Sequence, residues 1–510
     1  MFFYLPKMFV RKKKNKSGII SVQVIDKSTG KYRVKKTIGS SSDSKEVSLL
    51  VQKGKKWIDA YKGELSLDLD GLERQASAIL DNISQVTVYG TELLLGKIFD
   101  EIGFNQITSP LFKPLVLSRI ESPSSKLKTT DYWFKYYNRQ VDVVSIYRYL
   151  DRLHDSEQEM IQKISFNHTQ RILGNSIQMV FYDVTTIYFE AEKEDNLCKT
   201  GFSKDGKHQH PQIVLGLLVS RGGYPLAYDI FEGNKYEGET MLPIIDSFKE
   251  KYGFDQVTVV ADAGLLSNKN VEQLKEKSYH YILGARIKNE KEHIKKQILD
   301  LKLESGQCAS IKKGDDTTLV ISYSQSRANK DQHNRDRGLR RLEKLIAGGK
   351  LTKSSLNNRG YNKYLKMEGD IKICIDDTRL SADKKWDGLK GYQTNTKLSP
   401  SETIENYQHL WRIEKAFRIS KHDLKIRPIF HRLERRIASH ICLSFVAYKI
   451  YKELERQLEE KKAGISAEKA IDIAKTIYKI RVNLNEKDYL EKVLLIKEEQ
   501  RWLAEFFDLN

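Results

Sequence analysis

Cysteine and long apolar runs are the scarcest features of this 510-residue chain. The 4 cysteines lie at least 66 residues apart, which excludes a CxxC metal site and argues against a disulfide framework. The longest apolar run is about that from Ile213 to Val219, too short to span a bilayer. A Walker-type GxxxxGK[ST] phosphate loop is missing, so an ATP-driven motor is not indicated. We therefore expect an intracellular protein with no membrane span.

What the chain has in excess is positive charge. Lys and Arg number 87 against 68 Asp and Glu, a net charge of +19, while 40% of the residues are hydrophobic. The apolar content is sufficient for folded domains, and the basic balance favours an acidic polymer as partner, either nucleic acid or an anionic membrane surface. Residues 1–60 alone carry 15 Lys or Arg against 4 Asp or Glu.

The pattern of apolar residues changes along the chain. Two β-rich runs flank Lys27–Gly30 and predict a hairpin within a basic module over residues 1–86, although a solvated basic tail is the alternative. Apolar spacings of three and four then predict a helical module over 87–174. From 175 to 285, strands come first and then alternate with helices, which predicts a mixed sheet covered by helices.

The second half of the chain is predicted to contain an insertion and a helical end. Residues 286–397 are polar and basic with short strands, which is typical of an insertion between two parts of one core. The core would resume over 398–430. After Pro400 the pattern is nearly all helical to Asn510, and we expect residues 431–510 to be helices that could serve dimerisation.

Two aspartates close apolar runs in the predicted sheet. Asp183 follows Met179–Tyr182, and Asp262 follows Val257–Ala261. A carboxylate at the end of a buried strand is costly to desolvate unless it meets a metal, a cation or a donor. One such residue is usually a turn or cap residue, but two on the same sheet can converge on one point above its edge.

A third carboxylate falls within a predicted apolar stripe of the segment that follows Ser401. The stripe shares one helical face and consists of Tyr407, Leu410, Trp411, Glu414, Phe417 and Lys421. Glu414 could be neutralised there by Arg418 or Lys421. Alternatively, it is a third acidic ligand that a helix beside the sheet delivers to a metal. Three carboxylates holding two Mg²⁺ ions are what phosphodiester hydrolysis requires. The one close histidine pair, His208 and His210, is interpreted as part of a polar loop because further zinc ligands are missing nearby.

The segment around Glu414 resembles a known family. Tyr407, Leu410, Glu414 and Lys421 reproduce the spacing of the Y-(2)-R-(3)-E-(6)-K signature of DDE transposases from bacterial insertion sequences, the insertion-sequence-four superfamily. The stretches LWRIEKAFRISKHDLKIRPIFHRLERRIASH, GFSKDGKHQHPQIVLGLLV and WDGLKGYQTNT are also similar to that family. The beginning, MFVRKKKNKSG, is similar to the branch named for insertion sequence sixteen-thirty-four. The resemblance covers most of the chain, but Leu410 stands where the signature has Arg, and Arg412 points elsewhere on the helix.

This resemblance implies an α/β RNase H-like core with a β-rich insertion, flanked by a basic N-terminal module, a helical DNA-binding module and a helical C-terminus. It implies Asp183, Asp262 and Glu414 as the catalytic triad and as ligands of two Mg²⁺ ions, for which Mn²⁺ can substitute. Tyr407 and Lys421 would lie near DNA phosphates at the transposon end. Arg418 and Trp411 complete the predicted DNA-contacting set.

The resulting hypothesis is a transposase that cuts at the inverted repeats of its own element and joins them to target DNA by cut-and-paste transposition. Its partners would be double-stranded DNA and, because two ends must be cut together, a second copy of the chain. Its place would be the nucleoid in the cytoplasm of a bacterium. Two alternatives stay open: a structure-selective RNase H-like DNA nuclease without strand transfer, and a non-catalytic basic DNA-binding protein.

Overall fold

A computed structural model describes residues 7–16, 18–62, 76–174, 177–190, 193–203, 206–253, 257–314, 316–368, 372–485 and 488–509. The chain divides into two compact units. One comprises Met1–Ser84 with Arg481–Glu491, and the other comprises Gln85–Ile480 with Lys492–Asn510. Among the described residues, every helix is too short or too polar to cross a bilayer.

The basic N-terminal segment is a folded α/β module. Three antiparallel strands pair in sequence order and are followed by one helix: β1 (Met8–Lys14), β2 (Ile20–Asp26), β3 (Arg33–Ser41) and α1 (Ser44–Tyr61). Its small core gathers Met8, Val24 and Ile58. The predicted turn at Lys27–Gly30 is confirmed: the Gly30 amide donates to the Lys27 carbonyl, and Gly30 adopts a positive φ of 79° that favours glycine. The alternative of a solvated tail is therefore wrong for this segment.

A helical layer opens the larger unit, as the apolar spacing predicts. Its elements are β4 (Ile83–Val88), α2 (Gly90–Ile102), α3 (Phe112–Glu121), α4 (Lys126–Tyr137), α5 (Val143–Arg152) and α6 (Gln158–Ile172). The long, largely buried helix Glu434–Glu460 packs against α2, α3 and α5. The interior of this layer is apolar, with Leu94, Phe99 and Leu150 in the same core cluster.

An eight-stranded mixed sheet forms the centre of the larger unit, which confirms the predicted mixed α/β class. The first half of the sheet and its helices are β5 (Met179–Tyr188), β6 (Gln212–Ser220), β7 (Pro225–Glu232), α7 (Met241–Tyr252), β8 (Thr258–Ala261), α8 (Asn268–Glu276) and β9 (His280–Ala285). Strands β5, β8 and β9 are neighbours and run parallel, whereas the other pairs in the sheet are antiparallel.

The predicted insertion contributes strands to this same sheet. Its elements are α9 (Glu292–Asp300), β10 (Cys308–Lys312), β11 (Thr318–Tyr323), α10 (Gln325–Ala347), β12 (Leu365–Glu368), β13 (Lys372–Ile375), α11 (Asp377–Lys384) and β14 (Leu389–Thr394). The strand order β10-β11-β14-β9-β8-β5-β6-β7 shows that β10, β11 and β14 extend the central sheet, while β12 and β13 form a separate hairpin. The predicted boundary at residue 286 therefore cuts through one continuous sheet.

The last part of the chain is helical except near its end. Its elements are α12 (Pro400–Gln408), α13 (Trp411–Arg418), α14 (Glu434–Glu460), α15 (Ala467–Ala474), β15 (Tyr478–Asn483), β16 (Tyr489–Leu494) and α16 (Glu498–Phe506). The expectation of a nearly all-helical C-terminus is wrong at β15 and β16, which form a small sheet with β4. Pairing between residues about 400 positions apart in the chain is not visible in local periodicity.

Both faces of the central sheet are covered. Phe181, Val260 and Ile282 belong to the core on one face, together with residues of α13 and α14. Their chain neighbours point to the opposite face and pack with α7 and α8; these are Tyr182, Val259 and Tyr281. Because side chains alternate along a strand, the face of any residue at a strand end follows from this pattern.

Candidate active site

Asp183 and Asp262 lie side by side on the two central parallel strands. Tyr182 of β5 pairs with Ala261 of β8, so the next residue on each strand is an aspartate. Each aspartate is two positions beyond a residue of the α13 side of the sheet, and both therefore point to that face. The structure thus brings together two residues that lie far apart in the chain.

The two aspartates differ in their position on the strand. Asp262 follows the last residue of β8, as predicted, and is exposed. Asp183 was predicted to end its strand, and this is wrong: β5 continues to Tyr188, and Asp183 is half-buried within it. The reason is that β6 pairs along the whole of β5, including Asp183 opposite Leu217.

Backbone amides hold both carboxylates at the sheet. The Val184 amide donates to Asp183 Oδ1 over 2.8 Å, and the Gly264 amide donates to Asp262 Oδ1 over 3.0 Å. The turn after β8 also has the Leu265 amide donating to the Asp262 carbonyl. Donors of this kind restrict the orientation of a carboxylate. Both residues are therefore preorganised as oxygen ligands.

Gly284 leaves room for the side chain of Tyr407 beside Asp262. Ala261 pairs with Leu283 of β9, so Gly284 is the next residue beside Asp262. A Cβ at Gly284 would lie 2.6 Å from the Tyr407 hydroxyl and 2.8 Å from the Ala263 amide nitrogen. Any larger residue would clash with one or both. Gly284 thus allows the Tyr407 phenol to reach the sheet beside Asp262.

The segment that carries Glu414 is not one continuous helix. α12 ends at Gln408, α13 begins at Trp411, and a π-helical turn over Ile419–Asp423 follows. The predicted apolar stripe is therefore wrong: Trp411 and Glu414 are exposed, and the buried face of α13 is formed by Ile413, Ala416 and Phe417. Whether Arg418 or Lys421 neutralises Glu414, or Glu414 is a third metal ligand, stays a prediction.

Tyr407 lies among all three acidic residues. Its ring is buried, and its centroid is 4.8 Å from that of Tyr392. Burial raises the pKa of the Tyr407 hydroxyl most, and the negative charges of Asp262, Glu414 and Asp183 raise it further. The charges of the three carboxylates therefore act on one phenol. The expectation that Tyr407 lies near DNA phosphates stays a prediction.

Lys390 of β14 is the residue that sequence reasoning missed. Its Nζ lies 4.6 Å from the ring centroid of Tyr407 and 5.3 Å from that of Tyr392. Burial lowers the pKa of Lys390, as does the charge of Arg327, while Asp262 and Glu414 act in the opposite direction. A signal was present, because Lys390 lies in the WDGLKGYQTNT stretch, but a single lysine in a strand does not indicate its neighbours.

The other predicted DNA-contacting residues lie along α13 and the turn after it. Arg418 is exposed at the end of α13, and Lys421 is half-buried in the π-helical turn. Trp411 is exposed, and the Arg412 guanidinium lies 5.3 Å from its ring centroid. Leu410, at the position of the signature arginine, is buried in the apolar core. A charged residue at this position would lose its hydration without gaining a compensating partner, which is unfavourable.

The donor set fits a hard divalent metal in its chemistry. Asp183, Asp262 and Glu414 offer carboxylate oxygens, which Mg²⁺ prefers, and two of them stand on adjacent strands. In the part of the chain that the structure describes, however, no three His, Cys, Asp or Glu side chains form a ready-made metal cluster. His208 accepts a hydrogen bond from the Ser203 amide over 3.1 Å, which agrees with its interpretation as a loop residue.

Comparison with known proteins identifies the family. Residues 176–450, more than half of the chain, match the family described as transposase DDE domain. A search of curated protein sequences finds no match. Among solved structures, the piggyBac transposase synaptic complex with hairpin DNA is similar over 76% of each chain, at 9% sequence identity and a TM-score of 0.38. That structural likeness is too low to support an argument, whereas the sequence match spans β5, β8 and α13. The chain belongs to the transposase DDE domain family.

Proposed function

We propose that this protein is the transposase of a bacterial insertion sequence of the insertion-sequence-four group, with an RNase H-like catalytic core. The observation that carries the proposal is that Asp183 and Asp262 each follow the Tyr182–Ala261 pair of two adjacent parallel strands, and that their charges and that of Glu414 act on the Tyr407 phenol. The spacing of Tyr407, Glu414 and Lys421 supports the group assignment. DDE transposases cleave DNA, and the proposed reaction is cut-and-paste transposition.

Asp183, Asp262 and Glu414 would hold two Mg²⁺ ions, with Mn²⁺ as a substitute. Ions of this kind activate the attacking oxygen and stabilise the leaving oxygen of a phosphodiester. The two aspartates are the fixed part of the site because strands and backbone amides orient them. Glu414 is exposed on a short helix between a turn and a π-helical segment, and we infer that it completes the ligand set when DNA and metal bind.

Lys390 and Lys421 would position the DNA backbone. Lys390 lies over the Tyr407 ring on the aspartate face of the sheet, so its ammonium can contact a non-bridging oxygen of the scissile phosphate. Lys421 would hold a neighbouring phosphate from the π-helical turn, with Arg418 and Trp411 on the adjoining helix. Fixed cations beside a developing negative charge lower the barrier because no solvent must reorganise.

The chemistry proceeds in two displacements at phosphorus. Water attacks the phosphodiester at the element end and releases a 3′-hydroxyl. That hydroxyl then attacks a target phosphodiester, becomes joined to its phosphorus and displaces the 3′-oxygen of the target strand. In both steps the site must align an attacking oxygen with a leaving oxygen, which is a task of positioning. Two ends react together, so the active assembly is a dimer, for which residues 431–510 are the proposed contact.

The basic N-terminal module and the helical layer over 87–174 would bind the terminal inverted repeats. The first carries the largest local excess of positive charge, and the second lies in the same unit as the catalytic sheet. Contacts of Lys and Arg with phosphates supply affinity without sequence preference, so recognition of the repeat requires further base contacts.

The test is a plasmid assay that separates cutting from joining. A supercoiled plasmid carries the repeats that flank the coding region, a second lacks them, and target DNA is added with Mg²⁺. We expect 3′-hydroxyl ends and joined products from the first plasmid alone. Asp183→Asn and Asp262→Asn should bind the repeats but lower cleavage by about 1000-fold or more, which is ~4 kcal/mol of activation free energy.

The same assay discriminates the alternatives. Cleavage of both plasmids without joined products would identify a nuclease instead of a transposase. Binding without cleavage by the wild-type protein, in Mg²⁺ and in Mn²⁺, would identify a non-catalytic DNA-binding protein. Near wild-type cutting by either asparagine variant would remove that residue from the active site.

A further inference from the structure

A second group of basic residues lies buried in the larger unit, away from the three carboxylates. We call it the buried basic cluster: Arg119 of α3, Lys126 of α4, His431 in the segment before α14, and His440 of α14. Their exposed fractions are 5%, 5%, 9% and 4%. The His431 and His440 rings are 5.7 Å apart, and the charges of Arg119 and Lys126 act on both. Four basic side chains therefore share one desolvated region.

Hydrogen bonds define the protonation of His440 and the partners of Arg119. His440 Nε2 donates to the Ile426 carbonyl over 2.9 Å, so the neutral ring has Nδ1 as its acceptor. Arg119 Nη2 donates to that Nδ1 over 3.4 Å, and Nη1 donates to the Lys425 carbonyl over 3.2 Å. Among the described residues, the acceptors of the Arg119 guanidinium are thus neutral.

No carboxylate neutralises Arg119 or Lys126 among the described residues, and Lys126 has no hydrogen-bond partner there either. The charge of Asp151 acts on His431. Asp151 already accepts hydrogen bonds from Arg435 over 2.9 Å and from Arg436 over 2.8 Å. Its charge is therefore engaged by two other cations, and the cluster is left with an excess of positive charge.

A buried cation without a counter-ion is strongly unfavourable, and proteins rarely retain one without a reason. Burial, and then the charge of Arg119, lower the pKa of Lys126 well below its usual value. Arg119 cannot lose its charge by deprotonation, because a guanidinium keeps its proton under ordinary conditions. An anion seated between the two side chains would supply the missing partner for both.

We propose that the buried basic cluster is a binding site for an oxyanion of the phosphate class. A tetrahedral oxyanion has enough acceptors to bind the Arg119 fork and the Lys126 ammonium at once. Exposed Arg432 lies next to His431 in the chain and adds positive potential outside the cluster, which favours entry of an anion. The oxyanion can be free inorganic phosphate or a phosphate of the DNA backbone.

The experiment measures thermal unfolding and calorimetric binding with inorganic phosphate as the probe. Wild-type protein, Lys126→Met and Lys128→Met are compared in chloride and in phosphate at equal ionic strength. Lys128 is the matched control because it lies on the same helix but is exposed. Phosphate should raise the melting temperature of the wild type and of Lys128→Met along a saturable curve. Lys126→Met should lose that increase and bind phosphate at least about tenfold more weakly.

A second arm distinguishes the two sources of the oxyanion. Affinity for a linear DNA duplex is measured against salt concentration for the same three proteins. If a backbone phosphate occupies the cluster, Lys126→Met should lower the slope of log affinity against log salt by roughly 0.9, and phosphate should compete with the duplex. If free phosphate is the ligand, duplex binding should be the same in all three proteins.

Two results would overturn the proposal. One is a phosphate response of Lys126→Met equal to that of the wild type. The other is a wild-type protein that shows no saturable phosphate binding by calorimetry and no phosphate competition with the duplex. The second result depends on no variant, so it applies even if Lys126→Met does not fold. Neither outcome depends on catalytic activity, and the test therefore stands apart from that of the proposed transposition.

Discussion

The aspartate face of the sheet and the buried basic cluster both withdraw a lysine from water, but in opposite surroundings. Lys390 lies over two aromatic rings and within reach of the charges of Asp262 and Glu414. Lys126 lies beside Arg119, with neutral histidines as its other titratable neighbours and no acidic partner in the described chain. Carboxylates of the protein offset the positive charge of Lys390, whereas no carboxylate of the described chain offsets that of Lys126.

This difference indicates which ligand each region is built for. On the aspartate face the acidic groups outnumber the nearby lysine, so the region has capacity for added cations. In the buried basic cluster the excess charge is positive, and the partner that Arg119 and Lys126 lack is an anion. Burial lowers the pKa of both lysines, but only for Lys390 do carboxylates oppose the decrease. Charge balance within a desolvated region is therefore a better guide to ligand sign than the total charge of the chain.

The largest expected effect concerns Asp183, Asp262 and Glu414, which we call the acidic region. It tests whether DNA cleavage requires the third carboxylate. Glu414→Gln should reduce cleavage of end-bearing DNA by about 1000-fold or more, because it removes one proposed metal ligand. The melting temperature should stay unchanged, since Glu414 is exposed. Single-turnover cleavage with Mg²⁺ measures the first effect, and thermal unfolding measures the second.

Glu405→Gln is the matched control for that variant. Glu405 is an exposed carboxylate on the preceding helix, α12, where it pairs with Arg221 at 3.1 Å. Its replacement should leave cleavage unchanged. Equal rates for Glu414→Gln and Glu405→Gln would show that Glu414 is only a surface residue, and the acidic region would then consist of two aspartates.

The same substitution in the two regions should have different consequences. Lys390→Met should slow cleavage by about tenfold to 100-fold, or roughly 1.4 to 2.7 kcal/mol, because a fixed cation beside the scissile phosphate is lost. Lys390→Arg should recover part of that rate, since it keeps the charge. Lys126→Met should instead alter the phosphate response and leave Mg²⁺-dependent cleavage of bound ends near the wild-type rate.

If Lys390→Met and Lys126→Met behave alike, the two lysines do not serve different ligands. Loss of cleavage in both, with an equal fall in melting temperature, would mean that each lysine supports the fold and neither is matched to a ligand. Rates and unfolding curves measured on the same preparations distinguish these outcomes.

A somewhat smaller effect is expected at the edge of the acidic region. Lys421→Ala should slow cleavage by at least about tenfold, or ~1.4 kcal/mol, with an unchanged melting temperature, if its ammonium holds a phosphate. Tyr407→Phe should do less, because the ring that packs against Tyr392 remains. Cleavage rates at saturating DNA are the measurement. A Lys421→Ala protein that melts several degrees lower and cuts normally would assign the residue to structure.

The smallest expected effect concerns exposed positive charge. Lys12, Lys13 and Lys14 form the exposed end of β1, and the triple replacement by Gln should weaken duplex binding and flatten its salt dependence. Each lost phosphate contact lowers the slope by roughly 0.9. The triple replacement by Arg should retain both properties. Unchanged salt dependence in the glutamine variant would show that these residues do not contact DNA.

Some features of the fold were predictable from local sequence. The alternation in β2 and the residues of the Lys27–Gly30 turn predict the first hairpin, because a turn of this kind depends on nearby residues only. The apolar run before Asp262 likewise predicts the end of β8, since the chain becomes polar there. Helical spacing predicts the layer over 87–174 for the same reason.

The candidate site was predictable in part. The apolar runs before Asp183 and Asp262, and the family resemblance around Glu414, named the three carboxylates, but local pattern misplaced Asp183 and Glu414. Periodicity alone put Glu414 into an apolar stripe, because it assumes one continuous helix and does not show the break at His409 and Leu410 between α12 and α13. It also ended β5 at Asp183, although pairing with the distant strand β6 carries β5 on to Tyr188.

The sequence by itself determined which residues can ionise, where short-range turns and helices form, and that the chain favours an acidic partner. Tertiary structure decided which charges meet. Lys390 comes within range of the charge of Asp262 because β14 joins the sheet next to β9. Lys126 meets Arg119, His431 and His440 because α3, α4, the start of α14 and the segment before it enclose one region. Burial and charge balance depend on contacts between segments more than 100 residues apart, and local pattern contains no information about such contacts.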